Sequence, residues 1–357
     1  MFKKTLLFNV ISIIALWAPS FCFATDDQEN PSQFTCLYLR DSVEPAEEDP
    51  FKERSRILSQ DLRQTIKEKF PERITFYEML EKDQASSLST DFRKEVGPFL
   101  IDYDVLLGKG EEGEVYLAQD KRSGVYTAVK ICSIYKKTTK EIEEHSAEYQ
   151  AFLSLQRCFG FYCQKIKSPM YGDVFSTYLF VSLIDGKEIY HYQFSGIKLL
   201  GVEYNEKENI VKYKNLANNV MLLRSIVDEL RYLHKCGVAQ NDISTTNTMF
   251  TSAMKFVLVD LIPAGKVDTN SSVRDDQCDI VYYLPFVYYA LGIRHILDRD
   301  NYTLKAVVPQ PVMNLHHAIR PNKPGLPMCH NRDFSLAELD KAVSTLEKEI
   351  LSTDTKP

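Results

Sequence analysis

The chain has no surplus of positive charge. Its 43 Lys and Arg residues stand against 49 Asp and Glu, for a net charge of −6 and a pI near 5.8. The basic footprint that nucleic-acid binding requires is therefore missing, and clusters such as Lys136-Lys137 read as solvated surface. A disulfide framework is missing too. Setting aside Cys22, the cysteines are Cys36, Cys132, Cys158, Cys163, Cys236, Cys278 and Cys329, an odd and dispersed set. They read as ordinary buried thiols; a Cys158–Cys163 pair stays open as the alternative. His316, His317, Cys329 and His330 lack the tight ligand spacing of a zinc site. The most apolar run, Thr5 to Trp17, is interrupted by Asn9 and Ser12 and closed by Pro19, too short for a comfortable membrane span.

That run has another reading. Phe2-Lys3-Lys4 precedes it, and Cys22-Phe23-Ala24 follow it before the acidic Thr25-Asp26-Asp27. This is the layout of a secretory signal peptide over residues 1–24. A secreted or extracytoplasmic protein beginning near Thr25 is expected, with no membrane span after cleavage and with delivery into another cell or a secretory lumen as destinations.

Residues 25–98 divide in two. The stretch to about residue 50, ending Glu44-Pro45-Ala46-Glu47-Glu48-Asp49-Pro50, is acidic and reads as a linker or disordered lead-in. From Phe51 to Phe70 the apolar Ile57, Leu58, Leu62 and Ile66 fall on one helical face, stopped by Pro71, and a second short helix is expected from Ile74 to Lys82.

The chemistry-bearing motifs begin near Phe99. Gly108-Lys109-Gly110-Glu111-Glu112-Gly113-Glu114-Val115 is G-x-G-x-x-G-x-V between two β-prone runs, where glycines let backbone amides close over phosphates without Cβ obstruction. A third strand, Tyr126 to Ile131, carries Lys130 at the end of Thr127-Ala128-Val129-Lys130. A charged helix from Glu141 to Leu155 follows. Glu148 shares its inward face with Ala151, Phe152 and Leu155, and Glu144 is the fallback one turn earlier. Val174 to Leu183 reads as a strand running into Ser182-Leu183-Ile184-Asp185-Gly186. Tyr190 to Tyr213 fits no expected element, and Leu216 to Leu233 is an amphipathic helix with a basic last turn and a glycine stop at Gly237.

The stretch from Gly237 to Asp260 has the layout needed to hold a base and metal ions under a nucleotide. Four residues separate Asp242 from Asn247, so one loop can offer a carboxylate to an acceptor hydroxyl and an amide oxygen to a magnesium ion. Met249-Phe250 and Phe256 to Val259 read as short strands about the turn Thr251-Ser252-Ala253. Asp260 ends the second, one hairpin after the loop that carries Asp242.

Five motifs in this order resemble a protein kinase domain from about Phe99 to Leu291. The resemblance implies an α+β, two-lobed protein-kinase-like fold over residues 99–351, with a β-rich N-lobe to Leu183, a mainly helical C-lobe, and the helical extension in front. It implies ATP and Mg2+ as cofactors. Lys130 and Glu148 would position the α- and β-phosphates under Gly108, Gly110 and Gly113; Val115 and Ala128 would line the adenine ceiling and Met249 its floor. Asp242 would orient the acceptor, while Asn247 and Asp260 hold metal. The implied activity is phosphoryl transfer to a Ser/Thr hydroxyl of a protein substrate, with a small-molecule acceptor of the aminoglycoside-phosphotransferase type or a nucleotide-binding pseudokinase as alternatives.

The chain departs from the family pattern at several places. Gln240-Asn241 replaces the His-Arg before the base, so control by a phosphate on the following segment is not expected. Asp260-Leu261-Ile262 keeps the metal aspartate, offers Leu261 to an apolar slot and lacks the glycine. Ser244 stands where serine/threonine kinases usually have lysine. The stretch from Asp260 to Asp276 is short and has no A-P-E triplet, which leaves little platform for a peptide. Beyond Leu291, Val307 to Pro327 reads as Pro-rich and irregular, and Ser335-Leu336-Ala337-Glu338 as a capping box opening a last helix through Leu351.

Overall fold

The computed structural model describes residues 34–41, 49–50, 55–80, 92–110, 113–135, 147–168, 172–184, 186–188, 201–238, 247–251, 253–259, 261, 286–298, 303–319 and 335–354. All belong to one contact unit, Phe34–Pro357. The fold is mixed α+β, with its strands concentrated before residue 214 and its long helices after it.

Seven strands make one curled antiparallel sheet: β1 (Phe34–Leu39), β2 (Arg93–Val96), β3 (Phe99–Lys109), β4 (Gly113–Asp120), β5 (Tyr126–Tyr135), β6 (Cys158–Ser168) and β7 (Gly172–Ser182). Their order across the sheet is β1-β6-β7-β5-β4-β3-β2. The turns explain much of it. Gly97 sits at φ +56° between β2 and β3, against the Tyr162 ring, where any Cβ would collide. Between β4 and β5 the Asp120 carboxylate accepts from the Arg122 amide (2.9 Å), and the Asp120 carbonyl accepts from the Gly124 amide (2.8 Å). Such side-chain-to-backbone bonds fix a tight turn and with it the register of the flanking strands.

Two of these strands correct the sequence reading of residues 25–98. Phe34–Leu39, inside the expected lead-in, is an edge strand paired with β6, and Arg93–Val96 pairs with β3. The expected helix from Phe51 is also shorter. α1 runs over Gln60–Lys69, capped by Ser59, whose Oγ accepts from the Leu62 amide. Ile57 lies before that cap and is 60% exposed, whereas Leu58 and Ile66 are buried. The cap overrides the apolar periodicity because it satisfies amides that have no partner inside the helix. Pro71 stops α1 and then begins α2 (Pro71–Leu80), where the missing N–H of a first-turn proline costs nothing.

Helix α3 (Ala147–Ser154) lies between β5 and β6 and covers one face of the sheet. Strand β8 (Gly186–Glu188) leaves the large sheet and joins β11 (Thr248–Thr251) and β12 (Phe256–Leu258) in a three-stranded sheet of order β12-β11-β8. The segment that fitted no expected element contains the hairpin β9 (Val202–Asn205) and β10 (Ile210–Tyr213). Helix α4 (Leu216–Lys235) buries Val220, Leu223, Val227 and Leu230 at helical spacing and stops at Gly237, φ +70°. α5 (Gln310–Ile319) lies inside the run expected to be irregular, with Pro311 in its first turn, the one place where a helix accepts proline. The capping box forms as read: Ser335 N donates to Glu338 Oε2 (2.6 Å), the Glu338 amide donates to Ser335 Oγ (3.3 Å), and α6 (Leu336–Asp354) follows.

The largest apolar core runs without a break from Tyr149 and Phe152 on α3, through Phe161 and Leu179 of the sheet, to α4, α5 and α6. The opposite face of the sheet closes over Phe99, Ile101, Val129 and Phe180, with Phe99 stacked on Phe180 at 3.9 Å. Among the described residues no helix is long and apolar enough to cross a membrane.

Candidate phosphate and metal site

The glycine run is the turn between β3 and β4. Gly108 pairs with Val115 and Lys109 with Glu114, and the Gly110 amide donates to the Gly113 carbonyl at 2.9 Å. The three glycines have different reasons to be there. A Cβ on Gly113 would lie 2.2 Å from the Ile131 carbonyl oxygen, so the adjacent strand demands glycine. Beside Gly108 and Gly110 a Cβ would meet nothing within 4 Å, so packing among the described residues does not explain them. Lys109 and the Tyr116 hydroxyl both donate to Glu114 and hold its carboxyl below the usual range.

Strand register decides which side chains share the space below. Val115 lies opposite Lys130, and Lys130 opposite Leu179; Ala128, two residues along β5, lies opposite Val181. Side chains alternate along a strand, so Val115, Ala128, Lys130 and Leu179 share one face. Lys130 Nζ reaches both oxygens of Glu148, in the first turn of α3, at 2.9 and 2.8 Å. The two side chains are 13% and 16% exposed, enough shielding to strengthen the pair while leaving the ammonium within reach of a ligand. α3 keeps this placement by stacking Tyr149 on Phe161, centroids 4.4 Å apart. The fallback, Glu144, lies outside the described residues.

The second half of the site is the β11–β12 hairpin. Met249, half-buried in the central strand, lies between Glu188 and Val257. The Asn247 carbonyl accepts from the Val259 amide at 3.0 Å, so Asn247 and the residue preceding Asp260 meet at one end of the hairpin. Leu261 is fully buried in the large core, filling the apolar slot expected of it. Asp242 and Asp260 lie outside the described residues. Among those described, no group of three or more His, Cys, Asp or Glu is arranged to hold a metal.

No protein-family model matches the chain.

The thiols and histidines carry no second centre among the described residues. Cys158 and Cys163 form no disulfide with each other, and burial pushes the Cys158 thiol up to about 12. His316 is buried against the Tyr288 hydroxyl at 3.0 Å; Cys329 and His330 lie outside the described residues.

One cluster was not anticipated at all. Arg157, 1% exposed, is gripped by Asp49 and Glu229, both at 0%. Its Nη1 and Nη2 reach Glu229 at 2.7 Å each, and Nη2 and Nε reach Asp49 at 2.8 and 3.2 Å. Burial alone would lower the guanidinium's affinity for its proton; Glu229 and Asp49 more than reverse that. The signal available beforehand was Glu229, a carboxylate on the apolar face of α4 with Ile226 and Leu230.

Proposed function

We propose that the protein is an ATP-dependent phosphotransferase acting on a Ser/Thr hydroxyl of a protein substrate, on a two-lobed, protein-kinase-like scaffold over residues 99–351. The observation that carries this reading is the shielded Lys130–Glu148 pair on the sheet face below a glycine hairpin whose Gly108 and Gly110 have open space beside them. A paired ammonium suits a polyphosphate because Glu148 fixes the lysine's direction while taking at most two of its three donors. Backbone amides of the hairpin add neutral donors that only small residues leave accessible.

MgATP, when bound, supplies an activated phosphoanhydride and the metal charge that offsets its negative oxygens. This chain's residues would supply position and field. Lys130 would neutralise phosphate oxygens, Val115, Ala128 and Met249 would hold an aromatic base, Asn247 and Asp260 would offer hard oxygen ligands to Mg2+, and Asp242 would orient the acceptor hydroxyl and take its proton. A small-molecule hydroxyl is the second acceptor class, favoured by the short stretch from Asp260 to Asp276. The signal-like stretch from Met1 to Ala24 supports an extracytoplasmic or delivered setting, which N-terminal sequencing checks: an intact Met1 overturns it.

The deciding measurement is the melting-temperature shift induced by MgATP, alongside transfer of labelled phosphate into protein and small-molecule fractions of a cell extract. Asp260→Ala is expected to lose most of the shift, since a ligand stabilises in proportion to its affinity for the folded state. Asp242→Ala is expected to keep the shift and to lose roughly two to four orders of magnitude in transfer. Gly110→Ala should melt like the wild type without ligand yet show a smaller MgATP shift. A wild-type protein with no shift defeats the reading; a shift without transfer to any fraction makes the protein a nucleotide-binding pseudokinase.

A further inference from the structure

The buried Arg157 cluster ties the proposed site to a part of the chain that lies upstream of it. Arg157 follows α3 by three residues, through a turn in which Gln156 has φ +53° and the Arg157 amide donates to the Phe152 carbonyl at 2.9 Å. Two residues of the N-terminal segment hold α3, Arg40 at that same end and Tyr38 at the first turn. Arg40, just after β1, donates from Nη1 to the Gln156 carbonyl at 2.6 Å, and its amide donates to the Phe159 carbonyl at 3.0 Å. Tyr38 packs its ring against Tyr149 of α3, centroids 6.0 Å apart. Asp49 then meets Arg157 in the interior.

An eight-residue helix cannot hold itself in place, because so short a helix draws its stability from what it packs on. Its direction is therefore set by Tyr149, which packs on Phe161 and Tyr38 in the first turn, and by the Arg40 and Arg157 contacts at its C-terminal end. Glu148 stands six residues before Ser154, roughly 9 Å along the axis, so a tilt at the anchored end is carried to the glutamate. The cluster reaches the other half of the site as well: Glu229 Oε1, bonded to Arg157, accepts from the Leu258 amide at 3.4 Å, on the strand that leads to Asp260.

We propose that β1, Arg40 and Asp49 form an intramolecular strap that fixes α3 and thereby the Lys130–Glu148 pair, making nucleotide capture dependent on residues upstream of the kinase-like region. The consequence for nucleotide rests on the phosphotransferase reading; the strap does not. Asp49 and Arg40 are positioning residues, since neither touches the site itself.

The test compares full-length wild type with Asp49→Asn, Arg40→Ala and the control Arg224→Ala, whose arginine joins α4 to α6 without contacting α3. Amide hydrogen exchange is measured without ligand, and MgATP affinity is measured by titration. For Asp49→Asn, exchange across residues 148–155 should rise at least about tenfold relative to α6, and MgATP affinity should fall about tenfold, as when the competent population drops to a tenth. Arg40→Ala should show the same pattern at smaller size, and the control should show neither change. The strap is overturned if both variants melt at lower temperature while α3 exchange and MgATP affinity match the control. If Asp49→Asn does not fold, Arg40→Ala decides alone. If the wild type binds no MgATP, the phosphotransferase reading falls, and the exchange pattern across α3 still upholds or overturns the strap.

Discussion

Helix α4 carries an arginine-centred network on each of two sides, and they are chemically alike. On the inner side Glu229 shares Arg157 with Asp49; on the outer side Arg224 meets Glu347 at 2.6 and 3.0 Å, Ser344 at 2.8 Å, and Asp340, which also accepts from Arg231. The bond lengths hardly differ. Exposure does: the inner side chains are 0 to 2% exposed, whereas Arg224, Asp340 and Glu347 are 23, 24 and 30% exposed. Water can replace any partner lost from the outer network, but an inner charge that loses its partner has nothing to solvate it. The number of hydrogen bonds therefore says little about what each network does. The inner one has the means to fix geometry, and the outer one adds modest, salt-sensitive support.

The sharpest way to break this contrast is Glu229→Gln, which keeps the shape and removes one buried charge. It should cost about 3–5 kcal/mol in urea unfolding, the range for breaking a buried pair from one side. A loss below about 1 kcal/mol, the range of an exposed pair, would make the two networks equivalent. Next in size is Ser335→Ala, which removes the cap of the helix that carries Asp340 and Glu347. About 1 kcal/mol is expected, with the outer pairs still formed. Arg224→Ala should cost about 0.2–1 kcal/mol at low salt, fading as ionic strength rises. A cost that ignores salt would show that packing of the arginine stem matters more than its charge.

The smallest effect is a pH dependence. Asp228, on the outer side of α4, has its carboxyl raised above the ordinary 3.8, with burial as the main cause and Arg224 and Arg231 opposing it. A carboxyl whose folded value is raised favours the folded state below its unfolded value and loses that contribution as pH rises through the folded value. At pH 7 the ionised group is thus mildly unfavourable. Asp228→Asn should raise the melting temperature slightly at pH 7, with the gain vanishing as pH falls below 3.8. A lower melting temperature at pH 7 would mean that the arginines outweigh burial.

The parts of this molecule that could be read beforehand are those governed by neighbours in sequence. The β3–β4 glycine turn, Lys130 on β5, the amphipathic face of α4 and the Ser335–Glu338 box each depend on a period or spacing of a few residues. Glu148 was legible for the same reason, because the apolar positions beside it mark the inward face of α3. β6 was not anticipated. From Cys158 to Gln164 it is buried on both faces, so it shows no alternation to read. β1 was hidden in a segment whose acidic composition speaks for disorder, and α5 behind prolines that are harmless in a first turn.

By itself the sequence determined the local devices: which turns need glycine, where helices begin and stop, and which lysine and glutamate face inward. Only the tertiary structure decided that Asp49 belongs to the interior. Arg157 meets it across 108 residues and meets Glu229 across 72. No period or spacing encodes such a meeting. A buried guanidinium must find carboxylates wherever the folded chain brings them, and chain order leaves that open until the sheet and α4 have packed.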